Sequence, residues 1–354
     1  MLVIDALKRN NNNLDLIRII CAISVIFSHS LVLAKNVGHS DPLNSIVGFA
    51  YIGPTAVKIF FFISGILVTN SLITTKNATH FVVSRFFRVY PAYVFLIIIS
   101  TFIIGPILTS LSYNDYMQSP VTLMYAWENI FLNTHYFLPG VFDNNIYQGS
   151  VNGSLWTIPY EVAAYAILLG IYFIFGSRNR LLLSAICIVV ILSPAFGLNK
   201  ILFINSTTPE VYMLAPCFAL GALFAINRDF IKVSLSIPIG FFILFYFVSD
   251  AFLSQMFFYF MMCTLALYVS TVNIVKYIKP RHDISYGIYL WGFLVQQIIY
   301  NYIPSLSLHL NQIICIAVTI VFSYISFFVV EQPSMKIGKT MSLALQQIPK
   351  QGLT

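Results

Sequence analysis

The stretch LDLIRIICAISVIFSHSLVLA, residues 14–34, decides the fold. It has the roughly twenty mostly apolar residues that an α-helix needs to cross a bilayer core. Arg18 and His29 are out of place in it. A charged side chain near mid-bilayer costs roughly 2.5–3.5 kcal/mol even on insertion scales, so each asks for a protein-facing or water-facing role. Eleven positions at about 100° each return to within roughly 20° of the starting face, and about 1.5 Å per residue sets the pair about 16 Å apart along the axis. Both therefore look into one shared interior.

The rest of the chain repeats the pattern. Its 354 residues are 58% hydrophobic, 16% aromatic and only 9% charged, which describes a polytopic membrane protein and not a soluble one. Ten apolar segments stand out, at about 14–34, 50–73, 90–109, 155–175, 181–198, 211–227, 233–249, 252–274, 285–303 and 312–330. The expected fold is all-α, about ten transmembrane helices around a central pore or cavity with no soluble domain. Residues 1–340 form that domain and residues 341–354 a cytoplasmic tail. With the N-terminus inside, fifteen of the 19 Lys and Arg fall in cytoplasmic segments, Lys35 and Lys200 fall outside, and Arg18 and Lys58 lie within spans. This asymmetry places both termini in the cytoplasm. It also accounts for the net charge of +7 without nucleic acid as a partner. Cys21, Cys187, Cys217, Cys263 and Cys315 all sit in apolar stretches without metal-ligand spacing and read as buried packing residues. No small-residue cleavage site follows Lys8–Asn13, so the first helix is expected to be a retained span.

Ser110 to Gly153 forms a 44-residue outside segment, too long to be featureless. Its aromatic core, Trp127 to Pro139, reads either as a re-entrant or surface-lying helix or as a loop docked for packing. On the inner side, Arg85 and Arg88 share a helical face. They suit a fork around a phosphate, and equally an anchor at headgroup level. Glu161 opens the fourth span, where a helix N-terminus favours a carboxylate, with Ser154 as a capping candidate ahead of it.

These residues resemble the acyltransferase-3 family of integral-membrane O-acyltransferases. Arg18 and His29 match its R-x10-H, Phe61-Phe62-Ile63-Ser64-Gly65 its second-helix signature, and Arg85-Phe86-Phe87-Arg88 its R-x-x-R. Ser154-Leu155-Trp156 through Glu161, Ser285-Tyr286-Gly287-Ile288-Tyr289-Leu290 and Glu331-Gln332-Pro333 match later motifs, in order along nearly the whole chain. One position departs: many relatives carry a histidine in the late helix where this chain has Trp291-Gly292, leaving His29 as the histidine placed within a span.

The resemblance implies transfer of an acyl group, most often acetyl from cytoplasmic acetyl-CoA, to a hydroxyl of a cell-surface or lipid-linked glycan, in the cell's inner or plasma membrane. His29 is then the general base, since an imidazole titrating near pH 6.5 can take a sugar hydroxyl's proton. Arg18 and Glu161 assist it. Arg85, Arg88, Arg18 and Lys58 hold the donor, and Trp156, Tyr160 and Ser154 the acceptor. No metal is called for. Cys21, Ser28 and Ser30 lie off the face of His29, which favours direct transfer over an acyl-enzyme. The rival readings are a proton-coupled transporter or flippase and a membrane scaffold.

Overall fold

The computed structural model describes residues 1–33, 40–176, 179–196 and 209–347. The expected span ends at Ala34 and residues 197–198, the charges Lys35, Arg178, Lys200 and Lys350, and the tail beyond Gln347 lie outside the described residues.

Each apolar segment is helical where it is described. In chain order the helices are α1 (Leu14–Leu33), α2 (Ile52–Thr75), α3 (Ala78–Leu108, with a π turn over Ser100–Ile104), α4 (Pro120–Ile130) and α5 (Thr157–Phe175, led by a 3-10 turn over Gly153–Trp156). There follow α6 (Arg180–Leu192), α7 (Leu214–Ile226), α8 (Ser236–Phe247), α9 (Ala251–Ser270), α10 (Ser285–Tyr302), α11 (Leu308–Ser326) and, after a π turn over Phe327–Glu331, α12 (Gln332–Gln347). Six, namely α1, α2, α3, α5, α9 and the run through α11, are long and apolar enough to cross a membrane by themselves. The helices α6, α7 and α8 are shorter. Buried almost throughout, α10 carries Gln296 and Gln297 where neighbours enclose it. Phe173, Ile174, Leu181, Tyr246 and Phe247 stand exposed, an apolar surface that suits lipid and not water.

The chain divides into two compact units. The first holds Met1–Ser28, Ser40–Thr74 and Tyr160–Ser285. Its asparagine run is a set of ties. Asn13 Oδ1 accepts from Leu16 N at 3.1 Å and starts α1, while its Nδ2 donates to Val275 O and Ile278 O at 2.7 and 2.6 Å, holding the chain that follows α9. Asn11 and Asn12 bind the carbonyls of Asp5 and Ala6. In α2, a Cβ on Gly65 would overlap the Phe218 carbonyl, and one on Gly221 of α7 would overlap the Phe62 carbonyl. Two helix backbones therefore touch through reciprocal glycines, the close approach that membrane helices use in place of large side chains. The hairpin α8–α9 closes on Asp250, which accepts from Leu253 N at 2.8 Å, and its rings interlock through Phe245 and Phe258.

The second unit holds the described parts of His29–His39, Thr75–Pro159 and Tyr286–Thr354. Here α12 packs along α3, with Gly338 against the Phe87 ring and His80 Nδ1 bonded to Ser342 Oγ at 2.7 Å. Residues 110–153 form an ordered cap on α3. The π turn leaves Thr101 O open to the phenol of Tyr116, at 2.8 Å. Burial pushes the phenols of Tyr116 and Tyr125 well above their ordinary range, keeping both neutral. Helix occupies Pro120–Ile130 and ends inside the Trp127–Pro139 stretch. Asn129 ends it: its side chain bonds Tyr125 O and His135 O and accepts from His135 N, and Leu132 turns to φ +66°. The chain through Pro139 is consequently a docked loop, with Trp127 and Phe131 exposed.

Candidate active site

In the second unit α1 delivers His29. Its ring meets Phe293 of α10 edge-on, centroids 5.1 Å apart. Its Nδ1 is buried and, among the described residues, has no hydrogen-bond partner. An unsatisfied buried polar atom is costly, so a native one marks a place for a ligand, a water or chemistry. The next residue, Ser30, is anchored by Gln312 Nε2 at 2.8 Å.

Phe293 also sets the Ser154-Leu155-Trp156 turn. A Cβ on Gly153 would lie 2.7 Å from its ring, so glycine alone lets the 3-10 turn seat there. The cap of that turn is Asn152 and not Ser154: its side chain accepts from Ser154 N at 3.0 Å and donates to Leu290 O at 2.8 Å. Ser154 Oγ is left buried without a partner among the described residues, while Tyr289 OH donates to Ser154 O at 3.0 Å and bonds Thr157 Oγ1 at 2.6 Å. The loop before Asn152 is stitched to the same helix. Asn145 Nδ2 donates to Gln297 Oε1 at 2.9 Å, and Gln297 Nε2 donates to Ser150 O at 2.7 Å and Tyr147 O at 2.9 Å. Phe293, Asn145 and Gln297 carried no signal in the sequence beyond their type. Trp291 is buried between Phe95 and Phe322.

Elsewhere in this unit Arg88 Nη1 pairs with Glu331 Oε2 at 3.3 Å, with the Glu331 side chain fully buried. Tyr286 OH donates to Val89 O at 2.9 Å, and a Cβ on Gly287 would lie 3.2 Å from Glu331 Oε1. The R-x-x-R, S-Y-x-I-Y-L and E-x-P motifs thus meet around one ion pair. A phosphate at Arg88 would share the guanidinium with Glu331, leaving Arg85, one turn earlier, as its neighbour on that face. Trp156 closes the 3-10 turn and is half-buried.

In the first unit Arg18, Lys58 and Glu161 have separate partners. Arg18 pairs with Asp283, whose Oδ1 accepts from Ser285 Oγ at 2.6 Å and Ser285 N at 3.2 Å at the start of α10. Lys58 Nζ sits 4.5 Å over the Tyr259 ring and 3.5 Å from Pro54 O. Glu161 accepts from Tyr165 OH, and Tyr165 OH bonds Ser64 Oγ at 2.8 Å. Tyr160 is half-buried beside it. All five cysteines are buried free thiols, and no cluster of three His, Cys, Asp or Glu among the described residues would hold a metal.

Fold and site define a helical membrane protein in which the His29 imidazole and the Ser154 hydroxyl are two of several buried polar groups without a hydrogen-bond partner among the described residues. The chain belongs to the acyltransferase-3 family: the family model, described as "Acyltransferase domain", matches residues 11–328. It is 28% identical over 334 residues to the "O-acetyl transferase" of Shigella phage Sf6, covering 91% of this chain and 95% of that one. It is also 32% identical over 167 residues to "Nodulation protein 10" of Rhizobium leguminosarum bv. viciae, covering 45% and 43%. No solved structure matches.

Proposed function

We propose that this acyltransferase is an O-acetyltransferase, moving acetyl from cytoplasmic acetyl-CoA to a hydroxyl of a cell-surface or lipid-linked polysaccharide. The observation that carries the reading is the buried, partnerless Nδ1 of His29. As general base His29 takes the hydroxyl proton while the new ester C–O bond forms and the thioester C–S bond breaks, and then returns it to the departing thiolate. Ser154 Oγ, likewise partnerless, hydrogen-bonds the acceptor, with Trp156 and Tyr160 against the sugar face. Arg85 and Arg88 take the donor's phosphates, with Arg18 and Lys58 as further cationic contacts, and Glu161 positions the acceptor. The full-length likeness to a phage O-acetyl transferase supports the acetyl donor class.

The reading includes ten spans around a central cavity over residues 1–340, a cytoplasmic tail from 341, both termini inside, and the inner or plasma membrane as location. Mass spectrometry of the host's surface glycans with and without this protein tests it. Loss of one acetyl ester per repeat unit on deletion is expected, and unchanged glycans would refute it. Acetyl-CoA-dependent ester formation by purified protein separates the enzyme from a carrier. In that assay Arg85→Ala with Arg88→Ala raises KM for acetyl-CoA far more than for the glycan.

A further inference from the structure

We infer that Tyr165 is a positioning residue that locks the Glu161 carboxylate through a hydroxyl chain running from Ser64 of α2, a role that rests on the reading of Glu161 given above. The chain lies inside one unit and has one consistent direction. Tyr165 OH donates to Glu161 Oε1, so the bond between Ser64 Oγ and Tyr165 OH, at 2.8 Å, is donated by the serine. Protons therefore point Ser64 to Tyr165 to Glu161, and the terminal acceptor is an anion, the arrangement in which such bonds are strongest.

Each link is held by packing. Glu161 and Tyr165 are one turn apart on α5 and face the same way. Tyr165 is 8% exposed, and its ring lies 6.4 Å from that of Phe218. Phe218 is the residue whose backbone touches Gly65. The glycine next to Ser64 thus sets how closely α2 approaches α7, and that approach places Ser64 at the phenol. The Phe-Phe-Ile-Ser-Gly signature has a single physical reading: glycine for contact, serine for the bond.

The consequence falls on the second carboxylate oxygen. Among the described residues Glu161 Oε2 has no protein donor, so the chain fixes the rotamer with Oε1 and leaves Oε2 for a sugar hydroxyl. A misplacement of about 1 Å in such a group costs on the order of a hundredfold in rate.

The test is steady-state acetyl transfer by purified, detergent-solubilised protein bearing Tyr165→Phe, Ser64→Ala, Glu161→Gln and the double change Tyr165→Phe with Glu161→Gln. Tyr165→Phe keeps the ring and its packing. It is expected to lower kcat about ten- to a hundredfold with KM for acetyl-CoA unchanged, and Ser64→Ala to do the same more weakly. The double variant is expected to be no slower than Glu161→Gln alone, because both changes act through one carboxylate. Wild-type turnover in Tyr165→Phe beside an inactive Glu161→Gln would overturn the inference alone, as would fully additive losses. Wild-type turnover in Glu161→Gln would instead overturn the role of Glu161 itself, and the positioning role with it. Equal thermal unfolding of all four proteins shows that the losses are kinetic.

Discussion

The two units differ in which candidate residues are paired: those of the first are charged and partnered, and two of the second are neutral and partnerless. Both units also bury other hydroxyls without partners among the described residues, Thr55 and Thr69 in the first and Thr319 and Ser326 in the second. In the first, each intramembrane charge has a protein partner: Arg18 has Asp283, Glu161 has Tyr165, and Lys58 has the Tyr259 ring and a carbonyl. In the second, Arg88 pairs with Glu331, while His29 Nδ1 and Ser154 Oγ are buried without hydrogen-bond partners among the described residues. A paired charge is already held in position before a ligand arrives, whereas a buried neutral group without a partner gains one only when a ligand or water reaches it. Pairing alone therefore does not separate structural from functional residues.

Substitutions that break this contrast are ordered by expected size. Glu331→Ala removes the buried carboxylate that pairs with Arg88 and is expected to cost about 3–5 kcal/mol, seen as a lower unfolding temperature in detergent. Adding Arg88→Met should restore much of it, and no restoration would mean that Glu331 stabilises by another route. Asp283→Ala removes both the partner of Arg18 and the bonds to Ser285. A loss of about 1.5–3 kcal/mol is expected, with activity falling only as far as folded protein does. Gly65→Ala forces α2 from α7 at the Phe218 carbonyl and is expected to cost about 1–3 kcal/mol. Ser154→Ala sharpens the contrast from the other side: stability unchanged, and KM for the glycan raised about tenfold, or about 1.4 kcal/mol. A large stability loss there would make Ser154 a packing residue.

Much of the fold was legible because hydrocarbon imposes it. Segments of apolar residues become helices since no other element satisfies its own backbone in lipid. Where burial replaced lipid, length failed as a guide: α7 has 13 residues, nearly all enclosed, and α10 bears glutamines inside the protein. The two readings of Trp127–Pro139 divide at one buried asparagine: Asn129 ends the helix over Pro120–Ile130 with side-chain bonds that periodicity does not show, and a loop follows.

The site was legible as residue types and illegible as pairings. Arg18 and Asp283 are 265 positions apart, and Arg88 and Glu331 are 243, so no spacing argument joins them. Tyr165 was within reach, since a tyrosine four residues after an intramembrane glutamate shares its face. Phe293, which orders both His29 and Gly153, has the composition of any core phenylalanine and is visible only through its contacts.

The most direct test of the central claim is the rate of acetyl transfer from labelled acetyl-CoA to the acceptor glycan by purified protein in nanodiscs, wild type beside His29→Ala. A general base is worth about 10²- to 10⁴-fold. The predicted result is a fall in kcat of that size in a protein that inserts and unfolds like the wild type. A His29→Ala rate within a few-fold of wild type would contradict the account.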